Sequence, residues 1–187
     1  MNLYEQIKAY HPVNPQEEAD QKLLLSMMET QKDLFIRETL DAHFTASAWV
    51  VNADRSKVLM AYHNLYDSWA WLGGHADGQQ DLLAVALKEA KEESGAEHIR
   101  PVTEEIFSLE ILPVYGHEKK GKYVPTHLHL NLTYLLEANE SDDLQEKPDE
   151  NSAVAWIPVE LIPERSTEPW FVERIYSKLC DKVRNMK

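Results

Sequence analysis

Residues 73–96, GGHADGQQDLLAVALKEAKEESGA, decide the reading of this chain. A glycine pair precedes a segment in which Leu82, Leu83, Ala86, Leu87 and Ala90 recur at helical spacing, and the last turns of that helix carry Glu89, Glu92 and Glu93. Positions i, i+3 and i+4 are neighbours on one helix face, so the three carboxylates lie within reach of one another. Like charges at this spacing repel by about 0.2–0.5 kcal/mol per pair. Gly95 fits the position just past the helix end, so Glu92 and Glu93 also oppose the negative end of the helix dipole. A divalent cation reverses both penalties, and a patch of carboxylate oxygens suits Mg²⁺ or Mn²⁺. The competing account is a solvated, Glu-rich face in an acidic protein. A helical wheel at about 100° per residue argues against it, because Glu89 and Glu93 fall at the edge of the apolar stripe, where a cleft would lie. Glu92 lies further round, and Lys88 is opposite the stripe.

On these residues the stretch resembles the Nudix box, G-x5-E-x7-R-E-U-x-E-E-x-G-U with U aliphatic. Gly74 opens it, Glu89 follows the arginine position, Glu92 and Glu93 form the acidic pair, and Gly95 is the closing glycine. Gln80 stands where Glu is expected and Lys88 where Arg is expected; Ala90 and Ala96 are small where larger aliphatics are usual. Gln80 and Lys88 hold the positions of a charged pair that steadies Glu89 in the family. Lysine lacks the planar fork of arginine, so the link is expected to be softer.

The resemblance implies an α/β fold, the Nudix-type α/β/α sandwich with a mixed sheet. It implies a Mg²⁺-dependent pyrophosphohydrolase, with Mn²⁺ as an alternative ion, cleaving a nucleoside diphosphate linked to another moiety. Carried over residue by residue, Glu92 and Glu93 are metal ligands, the Gly73 carbonyl is a backbone ligand, and Glu89 is a ligand or the base. A glutamate in a later loop is the other candidate base, and Glu150 is the residue chosen there, with Asp149 and Glu146 as competitors. His75 follows the glycines directly and is expected on the substrate side. This GGH form of the box is similar to that of a bacterial subgroup.

Composition bounds the rest. The chain has 187 residues, enough for one domain of about 41–187 with an N-terminal helical extension of 1–40. A net charge of −13 argues against a duplex nucleic-acid binder or docking on an anionic membrane. The lone Cys180 rules out an intrachain disulfide and fits a reducing, cytoplasmic setting. MNLYEQIKAY lacks the features of a signal peptide, and no run approaches a membrane span.

Outside the box, Pro15 is expected to open a helix running through EEADQKLLLSMMETQKDLFIRETL, with Leu24, Met27, Met28, Phe35 and Ile36 as packing residues. FTASAWVVN and KVLMAYH read as strands around a polar turn, and WAWL leads into the glycines. EEIFSLEILPVY and THLHLNLTYLLEA read as strands joined by the loop GHEKKGKY, whose Lys119, Lys120 and Lys122 are a plain exposed charge run. AVAWIPV is a last strand, and EPWFVERIYSKLCDKVR a terminal helix. Alternating strands and helices imply a mixed sheet with helices on both faces.

Strand THLHLNLTY alternates, with His127, His129, Asn131 and Thr133 on one face. His127 and His129 are assigned to substrate contact or to support around it. Zinc on a His-x-His pair needs a third nearby ligand, for which the sequence offers only isolated candidates. Trp71, with Trp69 and Tyr115, offers a ring that stacks on a base, although aromatics beside strands more often pack in a core. Two other functions compete: a ligand-sensing Nudix domain of weak catalysis, and an enzyme similar to isopentenyl-diphosphate isomerases. The second uses a strand cysteine, whereas Cys180 lies in the terminal helix. The expected partner is a small nucleotide diphosphate derivative, with no nucleic acid and no membrane, and the family often forms homodimers.

Overall fold

The computed structural model describes residues 1–119 and 121–186. Helices α1 (Leu3–Ala9) and α2 (Pro15–Thr30) come first, then strands β1 (Ala42–Val51), β2 (Lys57–His63), β3 (Ser68–Ala70) and β4 (Leu72–His75). The box helix α3 (Leu82–Ser94) is followed by β5 (Ile99–Pro101), β6 (Ser108–Val114), β7 (His117–Lys119), β8 (Lys122–Val124), β9 (His127–Ala138) and β10 (Asn151–Pro158). A 3₁₀ turn leads to α4 (Ile162–Arg165), α5 (Pro169–Phe171) and α6 (Ser177–Asn185). The fold is α/β with a mixed sheet, as the sequence reading expected. Among the described residues no helix is long and apolar enough to cross a membrane.

The chain divides into two compact units. One comprises Met1–Ser47, Gly74–Val85 and Glu104–Tyr134. In it β6 pairs antiparallel with β9 from Ser108↔Thr133 to Val114↔His127. The Asn14 side chain caps α2 by accepting from the Glu17 N–H at 2.9 Å, and Pro15 occupies the first turn, where its missing N–H costs nothing. The α2 residue Asp20 accepts from the Ile111 N–H of β6 at 3.1 Å. A buried polar network lies beneath: Thr45 and Ser47 donate to the Asn131 side chain at 3.0 and 2.8 Å, and Ser108 donates to Glu17 at 2.9 Å. The polar face read for β9 is therefore split. Asn131 and Thr133 satisfy buried groups, and His127 and His129 lie further toward the strand's start.

Two expectations in this unit need correcting. The helix from Pro15 stops at Thr30, ten residues short of the expected end, and Asp33 takes φ +59°. Tertiary contacts claim the segment instead: Phe35 stacks on Phe44 with ring centres 4.9 Å apart, and its carbonyl accepts from the Gly78 N–H at 2.8 Å. The GHEKKGKY connector is a hairpin rather than a plain loop, with His117 opposite Val124 and Gly121 at φ +73°. Lys120 lies outside the described residues.

The other unit comprises Ala48–Gly73, Ala86–Thr103 and the chain from Leu135 onward. There β10 and β3 flank β2, the end of β1 pairs with β2, and β5 pairs with the end of β9. Tyr176 centres an aromatic core, 5.5 Å from Trp49 and 5.7 Å from Trp71 between ring centres. The terminal helix is not continuous: Val172–Tyr176 forms a π turn between α5 and α6. That turn accommodates one extra residue, so Ile175, Tyr176, Leu179, Cys180 and Val183 are buried while Trp170 stays exposed.

Candidate active site

The box helix begins on Asp81, whose side chain accepts from the Ala84 N–H at 3.0 Å, and ends where Gly95 turns into the left-handed region at φ +72°. Gly95 is required twice over. Its N–H closes the helix on the Lys91 carbonyl at 2.9 Å, and an added Cβ would sit 2.8 Å from the backbone nitrogen of Gln145.

Between these ends Glu93 and Glu89 are the more buried carboxylates and Glu92 the more exposed, as the wheel implied. Glu93 is 6 % exposed, the Glu89 side chain 13 % and the Glu92 side chain 44 %. Glu93 accepts from the Gly73 N–H at 2.9 Å, which ties the acidic pair to the glycine strand. Burial pushes the Glu93 carboxyl up to about 8; the Gly73 N–H opposes this, and the charges of Glu150 and Glu89 add to it.

Glu150 comes to the site because the loop before β10 docks on the end of α3. The Gln145 N–H donates to the Ser94 carbonyl at 2.8 Å, and the Asn151 side chain donates to the Glu93 carbonyl at 3.0 Å. Asn151 also accepts from the Lys147 N–H at 3.0 Å, which closes the loop on itself. The Lys147 ammonium reaches Glu150 at 3.0 Å and Glu92 at 3.7 Å. Burial works against its charge, yet its carboxylate neighbours hold it above the ordinary lysine range.

Lys147 and Asn151 are site residues that sequence reasoning missed. A lysine in an acidic loop carries no motif, and only its closeness to Glu92 and Glu150 marks it. Lys88 sits 3.0 Å from Glu89 and 3.4 Å from Glu92, so its ammonium rests on the box carboxylates themselves. The hydrogen bond to Glu89 raises its pKa.

The residues fit a divalent cation on their own chemistry. A buried carboxylate faces two like charges, and two ammonium groups sit on the exposed side of the patch, where they partly offset the repulsion that a cation would remove.

The four residues expected on the substrate side are divided between the two units. Trp71 is half-buried, its ring edge-on to Phe171 and Tyr176, and its backbone N–H donates to the Tyr176 hydroxyl at 3.4 Å. His75, His127 and His129 instead converge with His43, a residue the sequence reading passed over. Ring centres are 4.9 Å apart for His75 and His129, and 5.1 Å for His43 with either His75 or His129. The expectation that the His-x-His pair lacks a nearby third ligand is thus overturned: β1 and β4 each bring an imidazole to β9. Burial pushes the His43 imidazole down.

The fold and the family match together make the chain a hydrolase of phosphoric anhydride bonds. A model of the NUDIX domain matches residues 41–179, and the chain belongs to that family. Three solved structures share the fold. A NUDIX-family hydrolase from Clostridium perfringens is 18% identical, with 78% of this chain and 98% of that one covered at a TM-score of 0.53. A C. elegans Ap4A hydrolase in a binary complex is 21% identical, with 75% and 94% covered at 0.54. A UDP-X diphosphatase is 15% identical, with 97% and 88% covered at 0.51. No curated protein matches.

Proposed function

We propose that this protein is a Mg²⁺-dependent pyrophosphohydrolase that cleaves a nucleoside diphosphate linked to another moiety. The observation that carries the reading is Glu93, a buried carboxyl that accepts from the Gly73 N–H at 2.9 Å and faces the charges of Glu150 and Glu89. An arrangement this costly in the free protein is explained by a cation that repays it on binding. Mn²⁺ offers the same preference for oxygen donors.

In this reading Glu89, Glu92, Glu93 and the Gly73 carbonyl hold the metal, with Glu150 as the loop acid. The bound ion would neutralise charge gathering on the phosphate oxygens. The residues position a water for attack at phosphorus: the new P–O bond forms, the bond to the leaving phosphate breaks, and a carboxylate takes the water's proton. Glu89 and Glu150 are the two bases to compare. Residues 1–40 extend the catalytic domain of 41–187, with α2 packed on β6.

The shared fold of an Ap4A hydrolase and a UDP-X diphosphatase makes dinucleoside polyphosphates and UDP derivatives the first substrates to try. The isomerase alternative is disfavoured by Cys180, whose buried thiol is pushed up to about 11 and is a poor proton carrier. The test is a screen with Mg²⁺ against nucleotide sugars, dinucleoside polyphosphates, nucleoside triphosphates and isopentenyl diphosphate. Turnover of one phosphoric anhydride, lost in Glu92→Gln and Glu93→Gln, supports the reading. Tight nucleotide binding without turnover favours the sensing domain instead.

A further inference from the structure

Four of the chain's eight histidines, His43, His75, His127 and His129, meet in one unit although they come from three separate strands. One ring nitrogen from each of His43, His75 and His129 lies within 4.8 Å of the other two. Hydrogen bonding fixes which nitrogen of His43 can coordinate. The Thr39 carbonyl, 3.1 Å from His43 Nδ1, can only accept, so Nδ1 carries the proton and Nε2 presents a lone pair. His43 is 3 % exposed, and that buried Nε2 has no hydrogen-bond partner. A buried acceptor without a donor is a cost of about 1–3 kcal/mol that native proteins rarely leave standing. His127 is oriented the same way, with Nδ1 2.8 Å from the Pro125 carbonyl. A backbone carbonyl holding the far nitrogen of an imidazole is the arrangement that orients histidines in metal sites.

We infer that His43, His75 and His129 form a second metal site that takes a zinc-type divalent transition ion. Three imidazoles with no carboxylate among them select zinc over Mg²⁺, which prefers oxygen donors and octahedral geometry. His127 stands beside the set, with its Nε2 3.3 Å from His129 Nε2. Two nitrogens at about 2.0–2.1 Å from a tetrahedral zinc are separated by about that distance, so His127 is placed to supply the fourth ligand. The separations among His43, His75 and His129, at up to 4.8 Å, close by small side-chain rotations. The ion would staple β1, β4 and β9, and its binding energy would go to stability of the folded chain. This inference is independent of the proposed hydrolysis at the carboxylates, because its donors and its ion differ.

The full chain, stripped with a chelator and dialysed, would be titrated with Zn²⁺ against a chromophoric competitor, and with Co²⁺ for the visible bands of a tetrahedral complex. The expected result is one tight equivalent of Zn²⁺, not displaced by millimolar Mg²⁺. Zn²⁺ at a hundredfold excess over Kd should raise Tm by roughly 5–10 °C. His75→Ala and His129→Ala should each weaken Zn²⁺ binding by more than the roughly 10–100-fold that loss of an orienting partner costs. Because His43→Ala could fail to fold in the core, those two more exposed positions carry the test, with circular dichroism confirming their fold. Glu93→Gln should keep the Zn²⁺ equivalent and the Co²⁺ spectrum. Weak Zn²⁺ binding that the histidine variants leave unchanged, or a tight equivalent lost in Glu93→Gln, would overturn the inference.

Discussion

Replacing Glu93 with Gln should make the metal-free protein more stable while removing its affinity for Mg²⁺. The unfolded glutamate titrates near 4.5, whereas burial pushes the folded carboxyl up to about 8. Between those values the folded state holds a proton that the unfolded state has lost, so stability is fully present below pH 4.5 and declines as pH rises toward 8. The loss is about 1.4 kcal/mol per pH unit, and over the roughly 2.5 units from 4.5 to 7 it comes to about 3 kcal/mol. Glutamine keeps an oxygen to accept the Gly73 N–H but does not titrate, so the variant should gain about 2–3 kcal/mol at pH 7 with chelator present. The assay is urea unfolding of both proteins at pH 5, 6, 7 and 8, with EDTA and then with Mg²⁺. Subtracting the two metal-free curves isolates Glu93 from other titrating groups. Mg²⁺ should stabilise the wild type and flatten its pH dependence, and should do neither for the variant. Parallel metal-free curves from pH 5 to 8 would refute the reasoning, since Glu93 would then carry no burial penalty.

Three further outcomes follow from the same contacts. Gly95→Ala should destabilise the protein by about 1–3 kcal/mol in thermal unfolding, because it forces a Cβ into the left-handed region and against Gln145. Asn151→Ala should cost about 1–3 kcal/mol by freeing the Glu93 carbonyl and the Lys147 N–H, and should weaken Mg²⁺ binding measured by calorimetry by loosening the Glu150 loop. Cys180, buried and with its thiol pushed up to about 11, should react with a thiol reagent at pH 8 only at the rate of unfolding, and fast in urea.

The local stretch of 73–96 determined the family and the carboxylates by itself. A helix period is set by backbone geometry, so the burial of Glu93 and Glu89 beside a more exposed Glu92 could be read from spacing alone, as could Gly95 at the helix end. The cap at Asn14–Pro15 was legible for the same reason. Other features depended on contacts between residues far apart in the chain. The helix from Pro15 stops at Thr30 because Phe35 is drawn onto Phe44, and the terminal helix takes a π turn around a tyrosine buried against two tryptophans. Lys147 has no motif and becomes a site residue only through the docking of its loop on α3. The histidine cluster is the sharpest case. His43, His75 and His129 are separated by 32 and 54 positions, and no periodicity links them. Their meeting is decided by which strands lie side by side, and strand pairing is a property of the folded chain that no single segment encodes.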